Sequence, residues 1–193
     1  MAELLLSRTH ALEAWTGAFA DLPPSVGIAV EPFVAMVDVR LGPDAVDRLG
    51  IALPAEPNTW VALDEGRAIW LGPDEWLLTG TTQRPDELET PVREAVVPLG
   101  GSVTDVSAQR VTLRLTGDRV RDVLAKGCAI DLHPRVFGRG RGAQTMLGQA
   151  GVVLLSLSDT GDDYLVLVRS SFAGYLADWL LDATLEFTPE DRP

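Results

Sequence analysis

The chain has 193 residues and a formal net charge of −12, with 16 Lys and Arg set against 28 Asp and Glu. Nucleic-acid binding depends on basic side chains that displace counterions from phosphates, so this balance argues against a nucleic-acid partner. Apolar residues make up 46% of the sequence. That fraction is enough for one compact domain, or for two small lobes that share a core.

The cysteine count and the distribution of apolar residues indicate the cellular compartment. Cys128 is the only cysteine, so no disulfide can form within the chain, as is usual in a reducing cytoplasm. The segment from Met1 to Arg8 lacks the basic residues and the long apolar stretch of a signal peptide. No apolar run approaches the roughly 20 residues that span a membrane. The sequence therefore predicts a cytoplasmic protein with no membrane partner.

The first predicted element is an amphipathic helix. Its apolar residues recur at helical spacing and are Leu12, Trp15, Phe19 and Leu22, and two prolines at positions 23 and 24 follow. Proline cannot continue a helix, so the helix is expected to end there.

A strand, a turn and a short helix follow. In the run from Phe33 to Leu41, Val37 and Val39 alternate with charged residues, which predicts a strand with one buried face. After a Gly-Pro turn, Asp44 can cap a short helix that ends at Gly50.

The second half of the chain repeats this order at an offset of 74 residues. Val111–Leu115 alternates as a strand, and a turn at residues 117 and 118 leads into a short helix that ends at Gly127. The alignment pairs Arg40 with Arg114, and Asp44 with Asp118. An internal repeat of this kind predicts two lobes of similar structure.

Each half then adds a strand pair and a helix. The strand pairs lie at residues 68–78 and 152–168, which places Trp76 and Tyr164 at equivalent positions. The helices are predicted at 88–99, where Pro91 marks a kink or the true start, and at 172–183, capped by Ser171. The predicted fold class is α+β, with two tandem β-α-β-β-α lobes at residues 1–98 and 99–193 that form one compact domain. The first lobe includes the leading helix.

Residues able to carry chemistry are few. His10, His133 and the single Cys128 cannot supply the Cys₄ or Cys₂His₂ set of a structural zinc site. The glycine-rich run at 137–143 lacks the Lys and Ser/Thr of a phosphate loop and does not fit the dinucleotide pattern. We therefore predict no catalytic, cofactor-binding or metal-binding residue. A mixed His and carboxylate site, or a Cys128 nucleophile beside a base, is the alternative that the residues leave open.

One loop is predicted to contact a partner. It runs from His133 to Gly142, contains several glycines, and has no apparent local role. Arginine is enriched at interfaces because its planar guanidinium pairs two-pronged with carboxylates and also stacks. The candidate partner-contact residues are His133, Arg135, Arg139 and Arg141. The alternative interpretation is a mobile loop in solvent.

Several motifs carry a resemblance to a known family. They are Leu71–Leu78 (LGPDEWLL), Val103–Ser107 (VTDVS), Cys128–Pro134 (CAIDLHP), Ala143–Thr145 (AQT) and Tyr175–Leu181 (YLADWLL). In this order they closely resemble the gamma subunit of bacterial heterotetrameric sarcosine oxidase, over nearly the whole chain.

The resemblance implies a role in an assembly of four different chains that oxidises sarcosine to glycine. The partners would be the alpha, beta and delta subunits, and those chains would hold FAD, FMN, NAD, zinc and tetrahydrofolate. The gamma subunit is similar to a shortened aminomethyltransferase-like, folate-binding fold and would carry no cofactor itself.

The sequence departs from the folate enzymes at one position. Where their pattern places a pair of Asp, this chain has Leu154 and Leu155. Leucine cannot hydrogen-bond a pterin or move a proton, so we expect the fold without the folate chemistry. The alternative is a stand-alone folate-binding or aminomethyltransferase-like protein.

Overall fold

The structure is a computed structural model that describes residues 9–187. The segment considered for a signal peptide, Met1 to Arg8, lies outside the described residues. The α-helices of the described part are α1 (Thr16–Ala20), α2 (Pro85–Val96), α3 (Val120–Ala125) and α4 (Ala173–Thr184). Short 3₁₀ helices lie at Glu13–Trp15, Pro43–Arg48, Val97–Leu99, Ser170–Phe172 and Leu185–Phe187.

The strands form two antiparallel five-stranded sheets. They are β1 (Gly27–Glu31), β2 (Ala35–Arg40), β3 (Trp60–Leu63), β4 (Gly66–Gly72), β5 (Glu75–Gly80), β6 (Ser102–Asp105), β7 (Arg110–Thr116), β8 (Gly142–Leu147), β9 (Ala150–Ser156) and β10 (Asp163–Arg169). The N-terminal sheet has the order β3-β4-β5-β2-β6, and the C-terminal sheet has the order β8-β9-β10-β7-β1. The two orders match strand for strand, which confirms the α+β class and the two-lobe repeat.

The two sheets exchange one strand each. β1 precedes β2 in the chain but pairs with β7, and β6 precedes β7 but pairs with β2. Each sheet therefore contains a strand from the other side of residue 98. The boundary between the two lobes at residue 98 stays a prediction. Each hydrogen-bonded sheet contains strands from both sides of it.

The molecule has four layers, with helices outside and the two sheets face to face inside. α2 covers the N-terminal sheet through Leu88 and Val92, while α1, α3 and α4 cover the C-terminal sheet. A third core lies between the sheets and includes Met36, Leu77, Leu155, Leu165 and Leu167. Burying each such side chain stabilises the fold by about 1.5–3 kcal/mol, so the inter-sheet core joins the lobes firmly.

The sheets also meet along one edge. Thr59, next to β3, forms a β-bridge with Arg141, next to β8. The Gly142 N–H donates to Asn58 O and the Trp60 N–H donates to Gly140 O, each at 2.9 Å. On the other side, the connections at residues 32–34 and 106–109 carry the chain from one sheet to the other.

Several local predictions differ in detail from the structure. α2 begins at Pro85, where a missing N–H costs nothing, and Pro91 lies inside the helix on its exposed side. The Glu87 carboxylate accepts the backbone N–H of Arg84 at 2.9 Å and fixes this start. Ser171 does not cap α4, because a 3₁₀ turn at Ser170–Phe172 leads into it.

The repeat offset also differs by two residues. The strand ladders pair Val39 with Trp76 and Leu115 with Tyr164. Val39 therefore corresponds to Leu115, two positions beyond the predicted partner. Trp76 and Tyr164 are each the second residue of the central strand of their sheet, and each faces the helix-covered core of its lobe, which confirms their predicted equivalence.

No helix within residues 9–187 combines the length and the apolar character needed to cross a membrane.

Candidate functional site

The arginine-containing loop is anchored at its start by aromatic packing. Phe137 is buried and stacks on Tyr164, with ring centroids 6.5 Å apart and planes 13° from parallel. The Tyr164 hydroxyl, fully buried in β10, donates to the carbonyl of Leu132 at 3.5 Å. The loop therefore rests on the central strand of the C-terminal sheet.

The end of the loop is tied to the N-terminal lobe. The Arg141 guanidinium pairs with the Glu56 carboxylate at 2.7 Å, next to the bridge that joins the two sheet edges. The interpretation that this loop has no local role is wrong, because it both fills the C-terminal core and links the lobes. The sequence could not indicate this, since Glu56 and Arg141 lie in different halves of the chain.

The four candidate partner-contact residues fall into two groups. Arg141 forms an ion pair with Glu56 of the same chain. His133, Arg135 and Arg139 are exposed, and the guanidinium groups of Arg135 and Arg139 form no ion pair with any residue between 9 and 187. The loop backbone under them is fixed, because the Arg139 N–H donates to Asp159 Oδ1 at 3.1 Å and the Arg135 N–H donates to His133 Nδ1 at 3.2 Å.

Leu154 and Leu155 both lie in packed cores. Leu154 faces the core under the helices, Leu155 faces the core between the sheets, and each is at most 1% exposed. Neighbouring residues of a strand point to opposite sides of the sheet, so the pair cannot act on one ligand. The surroundings of both side chains are apolar.

The residues considered for other chemistry are separated in space. Cys128 is buried in the C-terminal core, where its Sγ lies 4.0 Å from Thr145 Oγ1. His10 accepts the N–H of Leu12 and meets Phe33 edge to face, with ring centroids 6.2 Å apart. In residues 9–187 no three His, Cys, Asp or Glu side chains are grouped so as to hold a metal ion.

Charged side chains line the strand ends of both sheets. Arg40 pairs with Glu75 at 2.8 Å, and burial followed by the adjoining Asp38 raises the pKa of the Glu75 carboxyl. Arg114 binds Asp163 with two hydrogen bonds, of 3.0 and 2.8 Å, and this contact raises the pKa of the guanidinium. Both clusters are internally paired ion networks.

A cavity of about 450 Å³ lies where the two exchanged connections pass between the sheets. Its lining includes His10, Glu31, Phe33, Arg110 and Thr112. Sequence reasoning missed this site because these residues come from separate segments. No motif marks them, and only the strand exchange brings them together.

Comparison with known proteins first defines the class of fold. Aminomethyltransferase T of the glycine cleavage system from Bartonella henselae matches with a TM-score of 0.59 and 16% identity, over 86% of this chain and 48% of that one. The fold is therefore aminomethyltransferase-like.

The sequence comparisons then define the family. Residues 35–186 match the sarcosine oxidase, gamma subunit family. Sarcosine oxidase subunit gamma from Corynebacterium sp. (strain P-1) is 35% identical over 168 residues, which covers 82% of this chain and 79% of the relative. The corresponding subunit from Arthrobacter sp. is 36% identical, with 80% and 78% covered.

A solved structure agrees with that assignment. One chain of heterotetrameric sarcosine oxidase from Corynebacterium sp. U-96 matches with a TM-score of 0.83 and 29% identity, over 96% of this chain and 99% of that chain. This chain belongs to the sarcosine oxidase gamma subunit family.

Proposed function

We propose that this chain is a non-catalytic subunit of a heterotetrameric sarcosine oxidase, where it contributes to assembly. The observation that carries the proposal is the match along almost the full length of one subunit of such a complex, at a TM-score of 0.83. The oxidation of sarcosine to glycine then belongs to the complex and depends on the other chains.

The proposed partners are alpha, beta and delta subunits in the cytoplasm. In this proposal those chains hold FAD, FMN, NAD, zinc and tetrahydrofolate, and the gamma chain holds none of them. The arrangement of the described residues supports this division of roles. A nucleophile needs a base within hydrogen-bond reach, but Cys128 lies in an apolar core with a threonine hydroxyl as its polar neighbour.

The absence of folate chemistry from this chain is also a proposal. It is supported by Leu154 and Leu155, which fill two different cores and leave no room there for a pterin. A stand-alone folate-binding protein is the alternative function. It requires a polar site elsewhere in the chain, so direct titration distinguishes the two.

Arg135 and Arg139 are the residues we propose for partner contact. They extend from a loop whose backbone is already fixed by Phe137, Asp159 and the Arg141 pair. A fixed backbone reduces the ordering cost of binding. Their guanidinium groups can form two-pronged pairs with carboxylates of a partner.

Co-expression of the tagged chain with the other subunits tests the interface. The Arg135→Ala, Arg139→Ala double variant should reduce the recovered complex and should make its dissociation less dependent on salt. Arg48→Ala, an exposed arginine on the other lobe, is the matched control and should assemble normally. Unchanged assembly of the double variant would refute the interface.

The purified chain tests the non-catalytic role. It should contain no flavin absorbance, oxidise no sarcosine, and give no heat on titration with tetrahydrofolate. Stoichiometric flavin, or micromolar folate binding, would contradict the proposal and favour the alternative.

A further inference from the structure

The cavity between the exchanged connections contains polar atoms that lack partners. The carboxyl oxygen Glu31 Oε2 and the hydroxyl Thr112 Oγ1 are both buried and form no hydrogen bond with any residue in the described part of the chain. Leaving a buried polar atom unpaired is unfavourable, because the atom loses its hydrogen bonds to water without replacement. Two such atoms in one place indicate a site that a bound group completes.

The strand ladder places these atoms side by side. Glu31 in β1 is directly opposite Thr112 in β7, so both side chains lie on the same face of the sheet. Thr112 is also opposite Leu167, which belongs to the core between the sheets. The two polar groups therefore face the space between the sheets at the edge where the cavity lies.

A cation stands on the same face, two residues along the strand. Arg110 lies about 7 Å from Thr112 along β7, given the rise of an extended chain. It also lines the cavity, is half-buried, and forms no ion pair with the described residues. Burial, followed by the charge of Arg169 directly opposite, lowers the pKa of its guanidinium.

The other basic group near Glu31 is already occupied. Arg114 is on the same face of β7, but its guanidinium is held by the two hydrogen bonds to Asp163. The cavity thus has an acceptor without a donor at Glu31 Oε2. At Arg110 it has a guanidinium that donates to Gln109 Oε1 at 2.5 Å and forms no ion pair with a carboxylate of the described residues. Glu31 and Arg110 are close enough for one small molecule to contact both side chains.

Phe33 adds an aromatic wall held in an unusual backbone conformation. Its φ is +58°, in the left-handed region that bulky residues rarely adopt, and its ring lines the cavity beside His10. Conformations of this kind cluster at ligand-binding positions, where the surroundings hold them.

We propose that this cavity binds a small zwitterion that carries both an N–H-bearing amine and a carboxylate, such as an amino acid. The ammonium donates hydrogen bonds to Glu31 and Thr112, and the carboxylate accepts from Arg110. The site is built from this chain alone, so it stands or falls independently of the proposed assembly role.

Calorimetric titration of the full chain with glycine tests the site. Trimethylglycine has the carboxylate but no N–H, and acetate has no amine, so both should bind at least about tenfold more weakly than glycine, given that hydrogen bonds to charged groups contribute about 1.5–3 kcal/mol. Equal binding of trimethylglycine would remove the role of Glu31. No glycine binding up to about 10 mM would overturn the proposal.

Variants assign the binding to this cavity. Glu31→Gln and Arg110→Gln should each weaken glycine binding about tenfold or more. Glu94→Gln and Arg48→Gln, which change exposed residues of the same types outside the cavity, should leave it unchanged. Glycine binding that Glu31→Gln does not alter would place the ligand elsewhere and refute the inference. If the free chain is unstable, the same comparison uses the co-expressed complex, where binding at other subunits cancels in the difference between wild type and variant.

Discussion

The two lobes hold the loop that follows their short helix in the same way, but with different chemistry. In the N-terminal lobe the Trp76 indole N–H donates to the carbonyl of Pro54 at 2.9 Å. In the C-terminal lobe Tyr164, at the matching position of the central strand, donates to Leu132 at 3.5 Å and stacks on Phe137. The fold thus requires an aromatic body in the core and a polar tip that reaches loop backbone. The tryptophan relies on a shorter hydrogen bond, whereas the tyrosine relies on a second ring.

Removing either aromatic side chain should have the largest effect. We expect Trp76→Ala and Tyr164→Ala each to lower the free energy of unfolding by about 3–5 kcal/mol, because each leaves a large cavity in a buried core. Urea denaturation measures both. A loss below about 1 kcal/mol for one variant only would mean that the two positions are not equivalent in energy.

The next largest loss of stability should come from the glycines that end the short helices, and its cause should differ between the two lobes. A Cβ at Gly127 would lie 2.5 Å from a ring carbon of Trp179 and 2.8 Å from the backbone nitrogen of Gly148. Gly127→Ala should therefore cost about 1–3 kcal/mol through overpacking.

Gly50, its counterpart, has a φ of +71° and no atom near a Cβ. Gly50→Ala should cost about 1–2 kcal/mol through backbone strain alone. Gly17→Ala in α1 has neither problem and should be neutral or stabilising, as the matched control. Thermal melts of the three variants give the order, and a neutral Gly127→Ala would show that both Trp179 and the backbone at Gly148 shift without cost.

The sequence predicted the elements that depend on local pattern. Strand alternation placed Val37 and Val39 inward, and it located Trp76 and Tyr164 correctly, because a period of two is set by the neighbouring residues alone. Four strands were not predicted, namely β1, β3, β6 and β8, so each sheet has five strands where three per lobe were expected. β1 reads as a strand in isolation. Its partner β7 lies far along the chain, and no local signal specifies that pairing.

The candidate sites show the same distinction between features set by local sequence and features set by long-range contacts. The arginines of the loop could be recognised from composition, but whether each one pairs within the chain depended on Glu56, in the other lobe. The cavity depended entirely on the strand exchange, since Glu31 and Thr112 become neighbours only when β1 joins the C-terminal sheet.

Of the two aromatic residues, only Tyr164 should make the stability of the protein depend on alkaline pH. Burial raises the pKa of the Tyr164 phenol above its ordinary value of 10.0. In the unfolded chain the phenol ionises near that ordinary value, while the folded chain keeps the proton to higher pH. The contribution of the buried phenol to the free energy of unfolding is therefore fully present below pH 10, and it decreases as the pH rises above that value.

Denaturation at pH 9 to 11 measures this effect, in the range where an ordinary tyrosine titrates. Tyr164→Phe should reduce this decrease in the free energy of unfolding. An identical pH profile for wild type and Tyr164→Phe would contradict the role of the phenol. Trp76 has no ionisable group, so it contributes nothing to this dependence on pH.

The smallest effect should come from the ion pair that links the lobes. The side chains of Arg141 and Glu56 are 43% and 66% exposed. Solvent screening limits such a pair to at most about 1 kcal/mol. A double-mutant cycle with Arg141→Met and Glu56→Gln should give a coupling energy in that range that disappears at high salt. A coupling well above this range would mean that the pair is shielded from water.

The strand exchange constrains how the chain reaches its native state during synthesis. The N-terminal sheet is incomplete until β6 has left the ribosome, and β1 has no hydrogen-bonding partner until β7 emerges. The chain therefore cannot finish its first lobe before starting the second, and unpaired strand edges stay exposed in the interval. Splitting the gene near codon 98 would yield two fragments that each lack one sheet strand and must exchange strands to fold.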